Sequence, residues 1–480
     1  MKKITLCTLL VALLTSFALL NVAAAKPNVV FLLADQWRAQ STGYAGEKIV
    51  QTPNLDALAK ESANFVNAVS TMPVCSPYRG SLMTGQYANK HGVFLNDVQL
   101  PPAVVSIAEV YKEGGYQTAY IGKWHLDARG RSSFTPPERR QGFDFWRGLE
   151  CTHNYNHSPY YADTPEKLFW KGYDAAAQTE EAVKYLDKQK ESEKPFLLVL
   201  SWGPPHNPYP TAPAKFTRMY DPAKIELRGN VPANLEKRAR KEIAGYYAHC
   251  TALDTYTGQV LAALKKTGLD KNTIVVFTSD HGDMLHSHGQ HRKQRPWDES
   301  VRVPLLIRYP ETLYPKSQYP KAKPVATEYL TPIGTPDLMP TLLGMCSLEI
   351  PKEVQGSDFS GLFTGKMLDD ATRPALIACL HPFGEWERHN GGREYRGVRT
   401  GRYTYVKTLE GPWLLYDNSK DPLQQKNLIG DPAYAEIQKT LEKKLVKMLK
   451  EADDTFEPGD FYIKERGYKV NARGTMPYSN

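Results

Sequence analysis

Residues 27–34 read PNVVFLLA, an unbroken apolar run with a proline in front and Asp35 behind. A run this short, apolar at every position rather than every second one, is the pattern of a strand covered on both faces. Next, Thr52-Pro53 offers a cap residue followed by proline at a first helical position, and NLDALAKESANF (54–65) continues at helical spacing. The alternation then repeats. Apolar runs stand at 117–121, 196–201, 273–278 and 304–307, with helical stretches such as 175–189 and 235–266 between them. Strands alternating with helices predict a large mixed, mainly parallel α/β sheet sandwiched by helices. Ligands of such sheets collect beyond the carboxyl ends of the strands. Asp35-Gln36 follow the first run, Lys123 and His125 the second, His206 the third and Asp280-His281 the fourth. Four strand ends thus deliver titratable or metal-capable side chains to one rim.

From about residue 373 the texture changes. REYRGVRTGRYTYVKTL (393–409) and PWLLYDNSKDP (412–422) read as short alternating strands joined by Gly and Asp-Pro turns. A Lys-rich amphipathic helix follows at 433–451. The expected division is a catalytic α/β domain over 26–372 and a smaller antiparallel-sheet-plus-helix subdomain over 373–480. The start differs from both. Lys2-Lys3, an apolar run over 4–20 and NVAAA (21–25) match a secretory signal peptide cut after Ala25, with a retained membrane anchor as the alternative. The expected product is exported, periplasmic or secreted, without a membrane span. The remainder, about 450 residues, is long enough for a well-buried core. Thirty-five prolines imply long ordered loops. A net charge of +8 suits steering of an anionic substrate, and no basic run interleaved with aromatics argues for nucleic acid. Five of the six cysteines lie beyond the leader, an odd set that leaves at least one thiol unpaired.

One of those thiols stands in PVCSPYRGSLMTG (73–85), where a helix begins. Cys75 has no cysteine or histidine neighbour at metal spacing. Cys75-Ser76-Pro77-Tyr78-Arg79 is similar to the C-x-P-x-R maturation motif of type I sulfatases, in the alkaline-phosphatase superfamily. YIGKWHL (120–126), TSDHGDML (278–285), ESVRVPLLIRYP (299–310) and LYDNSKDPLQQKNL (415–428) resemble further family motifs in the family's order.

The resemblance implies an alkaline-phosphatase-like fold and conversion of Cys75 to formylglycine by a formylglycine-generating or anaerobic sulfatase-maturing enzyme. The hydrated aldehyde would then be the nucleophile and pass through a covalent sulfated intermediate. It also implies a divalent metal, Ca²⁺ rather than Mg²⁺, on Asp35, Gln36, Asp280 and His281. Gln36 stands where many members have a second Asp, and His281 where many have Asn, so the ion's identity is open. Arg79 would hold residue 75, and Lys123 and His125 would bind sulfate and take the hydrate proton. His206 would protonate the leaving alkoxide, and Lys293 would clamp the sulfate.

Loops 151–161 (CTHNYNHSPYY) and 381–397 (HPFGEWERHNGGREYRG) combine aromatic and hydrogen-bonding groups suited to a sugar ring. His153, Asn154, His157, Glu387, Arg388 and His389 are the candidate substrate contacts. The expectation is an exported sulfatase acting on sulfated carbohydrate, such as a galactose or N-acetylgalactosamine sulfate. The alternatives are a phosphodiesterase or phosphonate monoester hydrolase of the same superfamily, and a non-catalytic binder of sulfated glycan.

Overall fold

A computed structural model describes residues 26–478, so the expected signal peptide lies outside the described residues. The run at 27–34 becomes strand Asn28–Asp35, buried along its whole length at the centre of an eight-stranded sheet. It pairs in parallel with Phe196–Pro205 on one side and Thr273–Ser279 on the other. Gln117–Lys123 and Phe145–Leu149 extend the parallel order outward. Leu305–Arg308 alone runs against the rest, and joins Thr273–Ser279 to the short strands Ala63–Phe65 and Thr327–Tyr329.

Strand geometry explains why Val29 to Ala34 are apolar without a break. Successive side chains point to opposite faces, so Val29, Phe31 and Leu33 enter one core while Val30, Leu32 and Ala34 enter another. The first core is closed by helices Cys75–Thr84, Ile107–Glu113 and Leu338–Met345. The second is closed by Asp174–Gln189 and by Glu236–Thr267, a 32-residue helix about 48 Å long at 1.5 Å per residue. The mainly parallel sheet is therefore sandwiched by helices.

Residues 54–65 depart from the sequence reading. The helix covers only Pro53–Ala59, and Ala63–Phe65 pairs as a strand with its two neighbours. Tertiary pairing at a sheet edge overrides a helical period that three residues are too few to defend. Thr52 makes no cap bond either; its hydroxyl donates to Asp56 Oδ1 and accepts from the Gly43 amide.

A second sheet is wholly antiparallel and four-stranded: Ala375–Cys379, Tyr395–Arg399, Tyr403–Thr408 and Gly411–Asp417. Helix Ala435–Glu451 lays Leu441, Leu445 and Met448 on Leu376, Val398, Tyr405 and Leu415 of that sheet. Ala378, Leu380, Phe383 and Tyr462 join the same core as Val29 and Phe31, which ties this region to the large sheet. Among the described residues no helix is long and apolar enough to cross a membrane, and the five cysteines are buried free thiols.

Candidate active site

The first and fourth apolar runs end side by side, because Asn28–Asp35 and Thr273–Ser279 are neighbouring parallel strands. Their ends bring Asp35 and Asp280 together, both fully buried. Helix Cys75–Thr84 starts beside them, so Cys75 Sγ lies 3.8 Å from Asp35 Oδ1 and 3.3 Å from His281 Nε2. One ligand atom from each of Asp35, Cys75, Asp280 and His281 falls within 4.8 Å of the others.

Whether these residues suit a cation depends on which atoms remain free. His281 Nδ1 donates to the Gly282 carbonyl (2.9 Å), which turns the Nε2 lone pair toward the carboxylates. Gln36 Nε2 donates to Asp283 Oδ2 (2.7 Å), and its Oε1 is left facing Lys293 Nζ at 3.4 Å. Asp283 is fixed in turn by Tyr209 OH (2.5 Å) and by the Leu285 and Arg292 amides. Two carboxylates and one imidazole nitrogen thus converge beside Cys75, and this oxygen-rich donor set fits a hard divalent ion. Gln36, directly after Asp35, adopts φ +71°, a left-handed conformation uncommon outside glycine.

Cations surround the anionic pair. Arg79 Nη2 reaches Asp35 Oδ2 (3.3 Å) and Asp280 Oδ2 (3.2 Å), while its Nη1 donates to Ser201 Oγ and the Lys123 carbonyl. Lys123 Nζ sits 2.5 Å from Asp35 Oδ2. Gly122, just before it, has φ +105°, and a Cβ there would lie 2.0 Å from the Ser201 carbonyl oxygen, so the two strand ends pack this closely only around glycine. Burial raises the Asp35 carboxyl, yet Lys123 leads the positive groups that hold it well below the usual carboxylate range. Asp280 is pushed up to about 6 by burial and by Asp35 beside it. Burial and Asp35 also raise the Cys75 thiol, but Lys123, Lys293 and His281 outweigh them and bring it well below its usual value. Position 75 therefore sits in a field that favours negative charge.

Lys293 Nζ donates to Cys75 Sγ at 3.3 Å and stands 2.7 Å from His206 Nε2. His206 Nδ1 donates to the Asn207 carbonyl (2.8 Å), so Nε2 is the acceptor. Burial and Lys293 keep the imidazole neutral, well below its ordinary pKa. Lys293 and His206 thus hold one proton between them. On the opposite wall His125 Nε2 lies 3.2 Å from Asp97 Oδ1. Burial lowers His125, but Cys151 and the bond to Asp97 prevail and push it up to about 9.

All of these groups open on a pocket of about 280 Å³, close to the lower end of the ~300–1,000 Å³ range of small-molecule sites. Cys75, Lys123, His125, His206 and Lys293 line it; Arg79, Asp35, Gln36, Asp280 and His281 form the layer beneath. Of the candidate substrate contacts, His153 lines the pocket and stacks on His206, ring centroids 4.7 Å apart. Glu387 is one step behind the wall, holding Arg473 at 2.6 Å. Asn154, His157, Arg388 and His389 do not line the pocket. His157 stacks on Phe169, Arg388 pairs with Glu394 and Asp460, and His389 pairs with Glu387 at the surface.

Sequence reasoning passed over Asp97, Arg131, Cys151, Glu385, Arg473 and Tyr478, which also line the pocket. Arg131, Arg473 and Tyr478 stand in no recognisable pattern. Asp283 was within reach, because it closes the TSDHGD stretch three residues after Asp280. Two histidines close after that stretch are engaged away from the pocket: His286 pairs with Glu242, and His288 stacks on Trp297.

Comparison with known proteins agrees with this geometry. Residues 27–347 match the family model described as sulfatase, and residues 286–451 match that described as N-sulphoglucosamine sulphohydrolase, C-terminal. The chain is 46% identical over 460 residues to an ulvan-active sulfatase of Formosa agariphila, covering 94% of this chain and 87% of that protein. It is 31% identical to an endo-4-O-sulfatase of Bacteroides thetaiotaomicron, covering 90% of this chain and 93% of the relative. The solved structure of the sulfatase YidJ from Bacteroides fragilis superposes with a TM-score of 0.79 at 32% identity, covering 91% of this chain and 98% of that one. A family model spanning most of the chain and relatives similar along nearly their full lengths lead to one conclusion: the chain belongs to the sulfatase family, as a sulfuric ester hydrolase of alkaline-phosphatase-like fold.

Proposed function

We propose that this sulfatase is exported and hydrolyses O-sulfate esters on carbohydrate, with residue 75 acting as formylglycine after maturation by a separate enzyme. The observation that carries the reading is the setting of Cys75. It opens a buried helix, and its sulfur lies within 3.3 Å of both Lys293 Nζ and His281 Nε2 and 3.8 Å from Asp35. The positive end of the helix dipole adds to that field. Such a field is suited to an anionic ester held against an oxygen nucleophile.

Asp35, Asp280, the Gln36 carbonyl and His281 Nε2 would hold a divalent ion, with Ca²⁺ favoured by the oxygen majority. When bound, such an ion polarises the ester and neutralises charge developing at sulfur. Lys123 and Lys293 orient the sulfate. One hydroxyl of the hydrated aldehyde at residue 75, ionised by loss of its proton to solvent in the positive field of Lys123 and Lys293, forms the new O–S bond as the bond from sulfur to the sugar oxygen breaks. The departing oxygen takes its proton from the Lys293–His206 pair: Lys293 gives up the proton it shares with His206 Nε2, and the imidazole passes it on. His125 then takes the proton from the second hydroxyl, the aldehyde carbonyl re-forms and sulfate departs. Three cations around the transferring group are the electrostatic part of the catalysis.

The 46% identity to an ulvan-active sulfatase makes sulfated polysaccharide of that kind the first substrate to try, before galactose and N-acetylgalactosamine sulfates. The division at residue 372 into a catalytic domain and a C-terminal subdomain belongs to the same proposal. The test is protein co-produced with a maturing enzyme. Mass spectrometry of the residue-75 peptide should give an aldehyde, and the protein should release sulfate from a sulfated glycan and prefer an aryl sulfate to the matched aryl phosphonate. A persistent thiol, with sulfated sugar bound and not turned over, supports the binder reading instead. Preference for the phosphonate supports a phosphonate hydrolase.

A further inference from the structure

His125 is tied to a carboxylate that no motif announces. Asp97 Oδ1 receives His125 Nε2 at 3.2 Å and Arg131 Nε at 3.0 Å, while Asp97 Oδ2 receives Arg131 Nη2 at 2.9 Å. The guanidinium is clamped from its other face by the Tyr478 ring, 3.7 Å away. Bidentate pairing fixes the carboxylate in plane, and the stacked aromatic fixes the guanidinium. The opposite nitrogen, His125 Nδ1, is buried without a partner, on the wall of the pocket that holds residue 75. The Cys75 side chain is among the groups acting on this imidazole. Both Asp97 and His125 adopt left-handed backbone conformations, φ +60° and +61°, and neighbouring bonds from Ser76 Oγ to the His125 carbonyl and from the Ser76 amide to Asn96 Oδ1 brace the pair against the helix start. Strain of this kind persists where surrounding structure over-determines a geometry.

We propose that Asp97 is a positioning residue for the second half of the reaction. It holds the neutral form of His125, the form that acts as base, in the tautomer with Nε2 protonated and Nδ1 free toward residue 75. It also stabilises the imidazolium that forms when Nδ1 takes the hydroxyl proton and that predominates at rest at neutral pH. This inference rests on the catalytic reading above and deepens it. The proton leaves the second hydroxyl of residue 75 and stays on Nδ1 while the C–O bond to sulfate breaks; Asp97 keeps its charge throughout, as an orienting carboxylate does in other nucleophile–histidine–acid arrays.

The test is rapid-quench kinetics on the matured full chain with a series of aryl sulfates, comparing wild type, Asp97→Asn and Asp97→Glu. Loss of a step-two positioning group leaves sulfur transfer fast and release slow. Asp97→Asn should give a stoichiometric burst of phenol and then a steady rate about 10²-fold below wild type. Sulfate should accumulate on the residue-75 peptide, kcat should become insensitive to the leaving group, and Asp97→Glu should restore part of the steady rate. A wild-type rate, or an equal slowing of the first and later turnovers without a burst, overturns the proposal. If Asp97→Asn does not fold, Arg131→Gln, which leaves both partners in place, must show the same burst with a smaller fold-change; its absence is equally decisive. Failure of the underlying reading looks different, because wild type itself would then lack the aldehyde or turnover.

Discussion

Asp35, Cys75, Arg79, Asp280 and His281, on and beneath the pocket floor, are at most 1% exposed, whereas Arg473 on its wall is 65% exposed. The floor is made where strand ends of the central sheet meet a helix start. Charge is concentrated there in a low-dielectric setting, where every ion needs its partner and removing one leaves others uncompensated. The wall is made from loops and the C-terminal stretch, where ion pairs are partly wet and individually weak. On the proposed reading chemistry falls to the rigid floor and the buried His125–Asp97 pair and recognition to the exposed wall, and the two should respond differently to mutation.

The largest expected effect is on the floor. Cys75→Ala in matured protein should reduce turnover to background while sulfated glycan still binds; near-normal activity would end the proposed mechanism. Arg79→Ala removes the cation shared by Asp35 and Asp280 and should cost about 3–5 kcal/mol of stability, read as a denaturant midpoint shift with activity lost as well. His206→Ala should slow sugar alkoxide leaving groups about 10²–10⁴-fold and phenolates much less; equal losses would remove it as the proton donor.

On the wall, Arg473→Ala and Tyr478→Ala should raise KM for a sulfated oligosaccharide about tenfold, or ~1.4 kcal/mol. Both should leave a small aryl sulfate nearly unchanged; equal losses on both substrates would erase the distinction between floor and wall.

The smallest effect concerns a carboxyl beneath the wall loop. Asp174, whose amide donates to the Tyr155 carbonyl, is buried with Oδ1 unpartnered, and burial pushes it up to about 8. It stays neutral in the fold while the unfolded chain ionises near 4, so it favours the fold at acid pH and loses that contribution as pH rises from about 4 to 8. Asp174→Asn should flatten the fall of Tm over that window, and an unchanged slope would show the carboxyl to be ionised in the fold. Such a carboxyl contrasts with Asp35, which cations keep charged at the same depth.

The floor was legible because its residues are punctuation on a strong pattern. Each apolar run must be followed by the first polar residue after a strand, and the sheet order brings those residues to one rim. Asp97 and Arg131 were not legible for the opposite reason. They lie on loops with no period, and their roles arise only when residues 97, 125 and 131 fold onto one another. The substrate loops show how composition misleads. Both are rich in sugar-binding residue types, yet His153 lines the pocket while Asn154 and His157 next to it do not. At a bend, adjacent side chains point in different directions, and one sequence cannot say which.

Local pattern determined the class of sheet, the sequence of strand ends and the identity of the residue-75 motif, because apolar periodicity and short motifs depend on near neighbours along the chain. Only the tertiary structure decided that Ala63–Phe65 is a strand, that Asp283 holds the Gln36 amide nitrogen, and that the C-terminal Arg473 and Tyr478 wall the pocket. Those outcomes rest on contacts between residues far apart in the chain, whose free energy exists only once the sheet has brought them together.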